Sequence, residues 1–281
     1  MPGRLDGNAP AVTRWCGARG MSVVIAVRVR FAVFVVLVLI LPGGLMATGE
    51  ARLIDLGKLA MILSPGLVGL ALNRGLGDRG VKARWGWVGV AAAITLAVAA
   101  SALAVAMAAG AASFQWTGSA PVAVLSATGV SALTSVLEEL GWAGGGLALA
   151  LAAFGRPWGV LVLGLVWAAW HLVPALLRVG LFPQLETAPP AMIAAFVVSC
   201  LIYRELLTAL RERARTWWAA AAGHAAPNIL LAGLMAAGLE GLDRPGAWPF
   251  FPAPGGLVFP VLALAAVLAL RRVRGEDLSG R

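Results

Sequence analysis

Few side chains in this sequence can take or give a proton, and those that lie in apolar surroundings fall into short clusters. Glu138 and Glu139 are adjacent, His171 lies four residues after Trp167, and His224 lies four residues before Asn228. His171 and His224 are the two histidines of the chain. A spacing of four puts both members of a pair on one helix face, so two helices present one imidazole each. Adjacent helical residues point about 100° apart, so at least one of the two glutamates turns toward neighbouring helices. Tyr203, Arg204 and Glu205 form a further polar group in an apolar run. A carboxylate held away from bulk water can act as a general base that removes a proton from water. A histidine N–H and the amide of Asn228 can donate to an oxygen that becomes negative, while the other histidine holds the water. A base, a water and an oxyanion site are enough to hydrolyse an amide without a covalent intermediate.

The elements that must position these groups are membrane spans. Of 281 residues, 60% are hydrophobic and 12% charged, against about 25% charged in an ordinary soluble domain. The apolar residues come in blocks of about 18 or more, the length that crosses a hydrocarbon core of about 30 Å as a helix. Strict alternation is absent, and an open sheet would leave unpaired edge groups in lipid, so the fold class is an all-α, polytopic transmembrane bundle. Eight spans are predicted, at 24–46, 54–73, 86–110, 121–153, 157–177, 189–210, 216–238 and 255–271. The fourth block is about 50 Å long as a helix, so it must tilt, break or begin outside the hydrocarbon. The first block is read as a retained span rather than a cleaved leader, because its apolar run over 31–46 is long.

The formal charge of +9 does not call for nucleic acid, because its placement has a topological explanation. Arg4, Arg14, Arg19, Arg28 and Arg30 precede or enter the first span, and Arg74, Arg79, Lys82 and Arg84 follow the second. Arg156 follows the fourth, Arg211, Arg213 and Arg215 the sixth, and Arg271, Arg272 and Arg274 the eighth. Loops 111–120 and 239–254 are nearly free of Lys and Arg. The positive-inside rule then places both termini in the cytoplasm, in a multi-pass protein of the plasma membrane. Residues 1–20 read as a disordered basic tail and 21–281 as one transmembrane domain, with Met21 as a second candidate start. Cys16 and Cys200 are too few for a disulfide framework. Counting 1.5 Å per residue from the cytoplasmic ends puts Glu138, His171 and Asn228 about 20 to 22 Å deep, and His224 at about 13 Å.

At these residues the sequence resembles the CPBP family, the CAAX protease and bacteriocin-processing proteins also called Abi. Its first motif is two Glu, three residues and an Arg, read here as Glu138-Glu139-Leu140-Gly141-Trp142-Ala143. The second is an aromatic residue shortly before a His, read as Trp167-Ala168-Ala169-Trp170-His171, and the third is His224-Ala225-Ala226-Pro227-Asn228. The resemblance covers about 120–240 as a catalytic core. It implies an intramembrane endopeptidase acting on a membrane-associated, prenylated CAAX-type substrate. Glu138 would activate water, Glu139 would support the site electrostatically, His171 would position the water, and His224 with Asn228 would bind the oxyanion. The motif Arg is Ala143 here, so the resemblance also admits a weakened or silent member acting as a scaffold or immunity protein. Arg204 is the candidate replacement, and its other reading is a boundary residue snorkelling to the interface.

Without the resemblance, a Glu and His relay also fits a proton-coupled transporter, although no internal repeat is visible. No cofactor is expected. Two His and two Glu form a conceivable zinc set, but the two-His helical zinc signature is missing. The expected partners are membrane lipid and a membrane-anchored or prenylated peptide or protein, and not nucleic acid.

Overall fold

The computed structural model describes residues 18–73, 82–118, 121–156, 158–244 and 246–279, with side chains described between residues 24 and 272. Residues 1–17 of the expected tail, and Arg74 and Arg79, lie outside the described residues; a helix is described from Ala18. Among the described residues, seven helices are long and apolar enough to cross a membrane. They are α1 (Val24–Ala47), α2 (Ala51–Leu72), α3 (Gly86–Ala108), α4 (Pro121–Phe154), α5 (Trp158–Leu176), α6 (Pro190–Ala214) and α7 (Trp218–Ala237). The chain is therefore an integral membrane protein.

The eighth expected span is also a helix, α8 (Val258–Ser279). Its described apolar stretch, 258–270, is shorter than the other spans, yet it runs the height of the bundle. Gly255 just before it packs on Met192 and Phe196 near the start of α6. Leu270 accepts a hydrogen bond through its carbonyl from Arg213 at the end of α6. Among the described residues the strand content is one two-residue antiparallel pair, β1 (Ser113–Phe114) with β2 (Leu239–Glu240), which ties the α3–α4 loop to the end of α7.

The long fourth block stays one helix, accommodated by a local change of winding. A π-helical turn at Trp142–Gly146 interrupts α4 just after the glutamate pair, and such turns arise where one extra residue is inserted in an α-helix. The start of α4 leaves Val122, Leu125, Val130 and Leu133 exposed, as lipid-facing side chains of a long, incompletely covered helix would be.

Behind the turn, α2 and α4 meet backbone to backbone. A Cβ on Gly141 would lie 2.0 Å from the Pro65 carbonyl carbon, and one on Gly145 would lie 2.4 Å from the Gly69 backbone. Small residues are the usual means of close helix approach in lipid, where apolar side chains gain little by associating. The α1 helix closes this side with Phe34, fully buried against the Trp142 ring at 5.6 Å, and with Arg28, whose Nε donates to the Ala153 carbonyl.

Gly145→Ala is expected to lower stability by about 1 to 3 kcal/mol through overpacking against backbone that has nowhere to move. Gly89→Ala at an exposed position of α3, where an added Cβ meets nothing within 4 Å, is expected to leave the melting temperature in detergent unchanged or slightly raised. Equal melting temperatures for the two variants would contradict the tight α2–α4 seam.

Candidate active site

The winding of α4 sends its two glutamates to different neighbours. Glu139 faces α6 and α7, and its carboxylate is fully committed. Arg204 Nη1 donates to Oε2 at 2.8 Å and Arg204 Nη2 to Oε1 at 2.9 Å. His224 Nδ1 lies 3.1 Å from the same Oε1. The pair is 0% and 1% exposed at Glu139 and Arg204. The two parallel bonds match the planar guanidinium to the carboxylate, the strongest geometry available to an ion pair. The guanidinium also lies over the Trp167 ring, 4.3 Å from its centroid, where the ring face attracts a cation.

Glu138 faces α5. Trp167 Nε1 donates to its Oε2 at 3.3 Å, and among the described residues no other hydrogen bond reaches this carboxylate. Glu138 is buried at 8% exposure. Two buried carboxylates thus sit side by side, one neutralised by an arginine and one bonded to an indole, and the second keeps acceptor capacity for a water or a substrate.

Trp167 is the point about which the rest is arranged. Its ring centroid is 5.3 Å from that of His171 and 5.4 Å from that of His224, in edge-to-face contacts. His171 Nδ1 lies 2.9 Å from the Trp167 carbonyl. A carbonyl only accepts, so Nδ1 carries the proton and Nε2 of the neutral ring is left as an acceptor. Trp170, Phe182 and Phe196 enclose the His171 ring. On α7, Asn228 donates through Nδ2 to Ser135 Oγ at 3.0 Å, and Ser135 donates to the Ser131 carbonyl at 2.7 Å. Tyr203 donates to the Gly223 carbonyl at 2.7 Å, fixing α6 to α7 beside His224.

Compared with the sequence expectation, the structure joins Glu139 directly to His224, although depth counting separates His224 from the glutamates. Side chains on a helix reach a turn along the axis from their own Cα, and that reach spans the counted offset. His171 and Asn228 flank the pair; no hydrogen bond joins His171 to either glutamate among the described residues. Arg204 is buried rather than snorkelling. Its neighbour Glu205 leaves the cluster altogether, pairing with Arg156 and Arg271 at the arginine-rich end of the bundle.

Two contributors were not assigned roles from sequence. Ser135 gives no signal among the many small residues of α4. Trp167 stands out only through its spacing from His171. Among the described residues, no group of three His, Cys, Asp or Glu side chains is placed to hold a metal ion. A cavity of about 750 Å³, lined by Met192, Met235, Trp248 and Phe251 among others, opens at the end of the bundle opposite the arginines. Phe196, one turn beyond Met192 on α6, packs against the His171 ring.

Residues 119–230 match the family model described as Rce1-like, type II CAAX prenyl endopeptidase Rce1-like. The match is consistent with the resemblance to the CPBP family read from the sequence. The matched segment contains Glu138, Glu139, His171, Arg204, His224 and Asn228, and at family level it supports a protease. No curated protein matches the chain.

Breaking a buried ion pair from one side leaves an uncompensated charge, at a cost of about 3 to 5 kcal/mol. Arg204→Leu is therefore expected to unfold at markedly lower temperature, and Arg204→Leu combined with Glu139→Gln is expected to recover a large part of that loss. Thermal unfolding of the four proteins in one detergent gives the coupling between the two positions. Additive effects would mean that the pair does not act as a unit.

Proposed function

We propose that this chain is an intramembrane endopeptidase that hydrolyses a peptide bond in a membrane-anchored substrate, of the prenylated CAAX type that the family match suggests. The observation that carries this reading is the division of labour between two adjacent buried carboxylates. Glu139 is saturated by Arg204 and His224, while Glu138 has one neutral donor and remains able to accept a proton.

In the proposed reaction Glu138 takes a proton from water, and the hydroxide so formed attacks the carbonyl carbon of the scissile bond. The carbonyl oxygen becomes negative and accepts from the second N–H of Asn228, the first being held by Ser135. Collapse of this intermediate breaks the C–N bond, and Glu138 returns its proton to the departing amine. His171 is proposed to orient the water through Nε2, the ring position left as an acceptor. His224 uses Nδ1 to donate to Glu139, so its Nε2 donates to the oxyanion only when both ring nitrogens are protonated. Arg204 and Glu139 act as positioning residues that hold the His224 ring.

Ala143 by itself does not argue for a silenced site, because a guanidinium from another helix already occupies Glu139. Ala143→Arg in the native background is accordingly expected to give no gain in kcat. A large gain would favour a weakened enzyme.

Glu138→Gln is expected to lower kcat for a prenylated reporter peptide by about 10³-fold with the protein still inserted and folded. Asn228→Ala is expected to cost about 10²-fold in kcat with little change in KM. Undiminished cleavage by Glu138→Gln would sink the proposal. Proton uptake into proteoliposomes without any cleavage would replace it with the transporter reading.

A further inference from the structure

We infer that the arginine-lined pocket at the end of the bundle where α6 and α8 terminate binds the phosphate of an anionic phospholipid headgroup. The pocket has a volume of about 260 Å³ and is formed by Arg84, Arg156, Arg213, Arg215 and Arg271 with Glu205 and Glu212. Five cations face two carboxylates, and the carboxylates are shared among some of them only. Glu205 accepts from Arg156 at 2.9 Å and from Arg271 at 3.0 Å, and Glu212 accepts from Arg156 at 2.9 Å. Arg213 is held by the Leu270 carbonyl and lies over the Trp87 ring at 5.2 Å. Among the described residues no carboxylate pairs with Arg84 or Arg215, both exposed. The ion-pair network thus fixes the floor of the pocket and leaves two guanidiniums at its rim for an anion.

A membrane source for that anion follows from where the pocket lies. Arg84, Arg156 and Arg215 each stand one to three residues before a tryptophan that opens a span: Trp85, Trp158 and Trp218. These three side chains are 62%, 63% and 41% exposed. Exposed tryptophans at helix ends sit at the headgroup level of a bilayer, between the acyl chains and water. The pocket is therefore level with lipid phosphates, and basic pockets between helices at that level recognise anionic headgroups. The backbone reinforces the placement. Arg215 adopts φ +56° at the end of α6, a left-handed conformation that glycine would adopt at lower cost, so a side chain is kept there despite strain.

The test uses the full chain in a zwitterionic detergent, titrated separately with phosphatidylglycerol, phosphatidylcholine and inorganic phosphate. Native mass spectrometry counts bound lipid, and thermal unfolding reads the stabilisation. Phosphatidylglycerol is expected to bind and raise the melting temperature where phosphatidylcholine does not. Arg84→Gln with Arg215→Gln is expected to weaken phosphatidylglycerol binding about tenfold or more. Arg244→Gln at the opposite end is expected to leave it unchanged. Equal binding of the two lipids, or undiminished binding by the double variant, would overturn the inference. An equal rise in melting temperature with inorganic phosphate would reassign the pocket to a soluble anion and overturn it likewise. Both substituted side chains are exposed, so each single variant can carry the same measurement should the double variant fail to fold.

Discussion

The buried pair of Glu139 and Arg204 is the constraint around which the core is built. An ionised carboxylate and a guanidinium at 0% and 1% exposure are tolerable in hydrocarbon surroundings only as a pair with satisfied geometry. Satisfying it fixes the rotation of α4 relative to α6, because the fork must meet both carboxylate oxygens at once. The same geometry lays Arg204 on Trp167, and Trp167 in turn reaches Glu138 and carries His171 on its own carbonyl. His224 completes the set from α7. Four helices are thereby locked in mutual register by one charge pair and one indole. Helix packing in lipid otherwise rests on dispersion and small-residue contact, which set relative rotation less strictly.

Much of the fold was legible because transmembrane helices announce themselves by length and apolarity, and the expected boundaries of α3, α5 and α7 agree with the structure to within two residues. The distribution of arginines was legible for the same reason. The described Arg28, Arg84, Arg156, Arg211, Arg213, Arg215 and Arg271 gather at one end through contacts among α1, α4, α6 and α8. The partners within the site were harder to read. Arg204 is conspicuous as an arginine inside an apolar run, but no spacing rule says which helix supplies its carboxylate. A residue 65 positions away in sequence is found only by packing. The depth count did not foretell the contact of His224 with Glu139, because it measures Cα positions whereas the contact is made by side-chain tips. The π-helical turn left no trace beyond a run of glycines, which also fits a flexible loop or a close helix crossing.

The guanidinium at Glu139 comes from another helix, and not from the position it has in the motif that the sequence resembles. The physical requirement at Glu139 is a guanidinium within hydrogen-bonding reach, and the chain position that delivers it is secondary. Arg204 meets that requirement from α6, while the Ala143 backbone carbonyl accepts from Arg211 Nε two turns further along the same helix. Both ends of this contact tie α6 to the glutamate-bearing helix, so α6 now carries load that a local arginine on α4 would have kept within one element. The helix is correspondingly among the most buried of the spans, with half of its apolar window enclosed.

The glycine seam between α2 and α4 carries a consequence for the placement of the glutamates. α2 supplies none of the reactive groups, yet its Pro65–Gly69 backbone is the surface against which Gly141 and Gly145 rest, directly after the glutamates. A methyl group added on either side would push α4 outward and carry both carboxylates with it. A side chain added at Gly66 or Gly69 would therefore move the glutamate pair although it touches neither carboxylate.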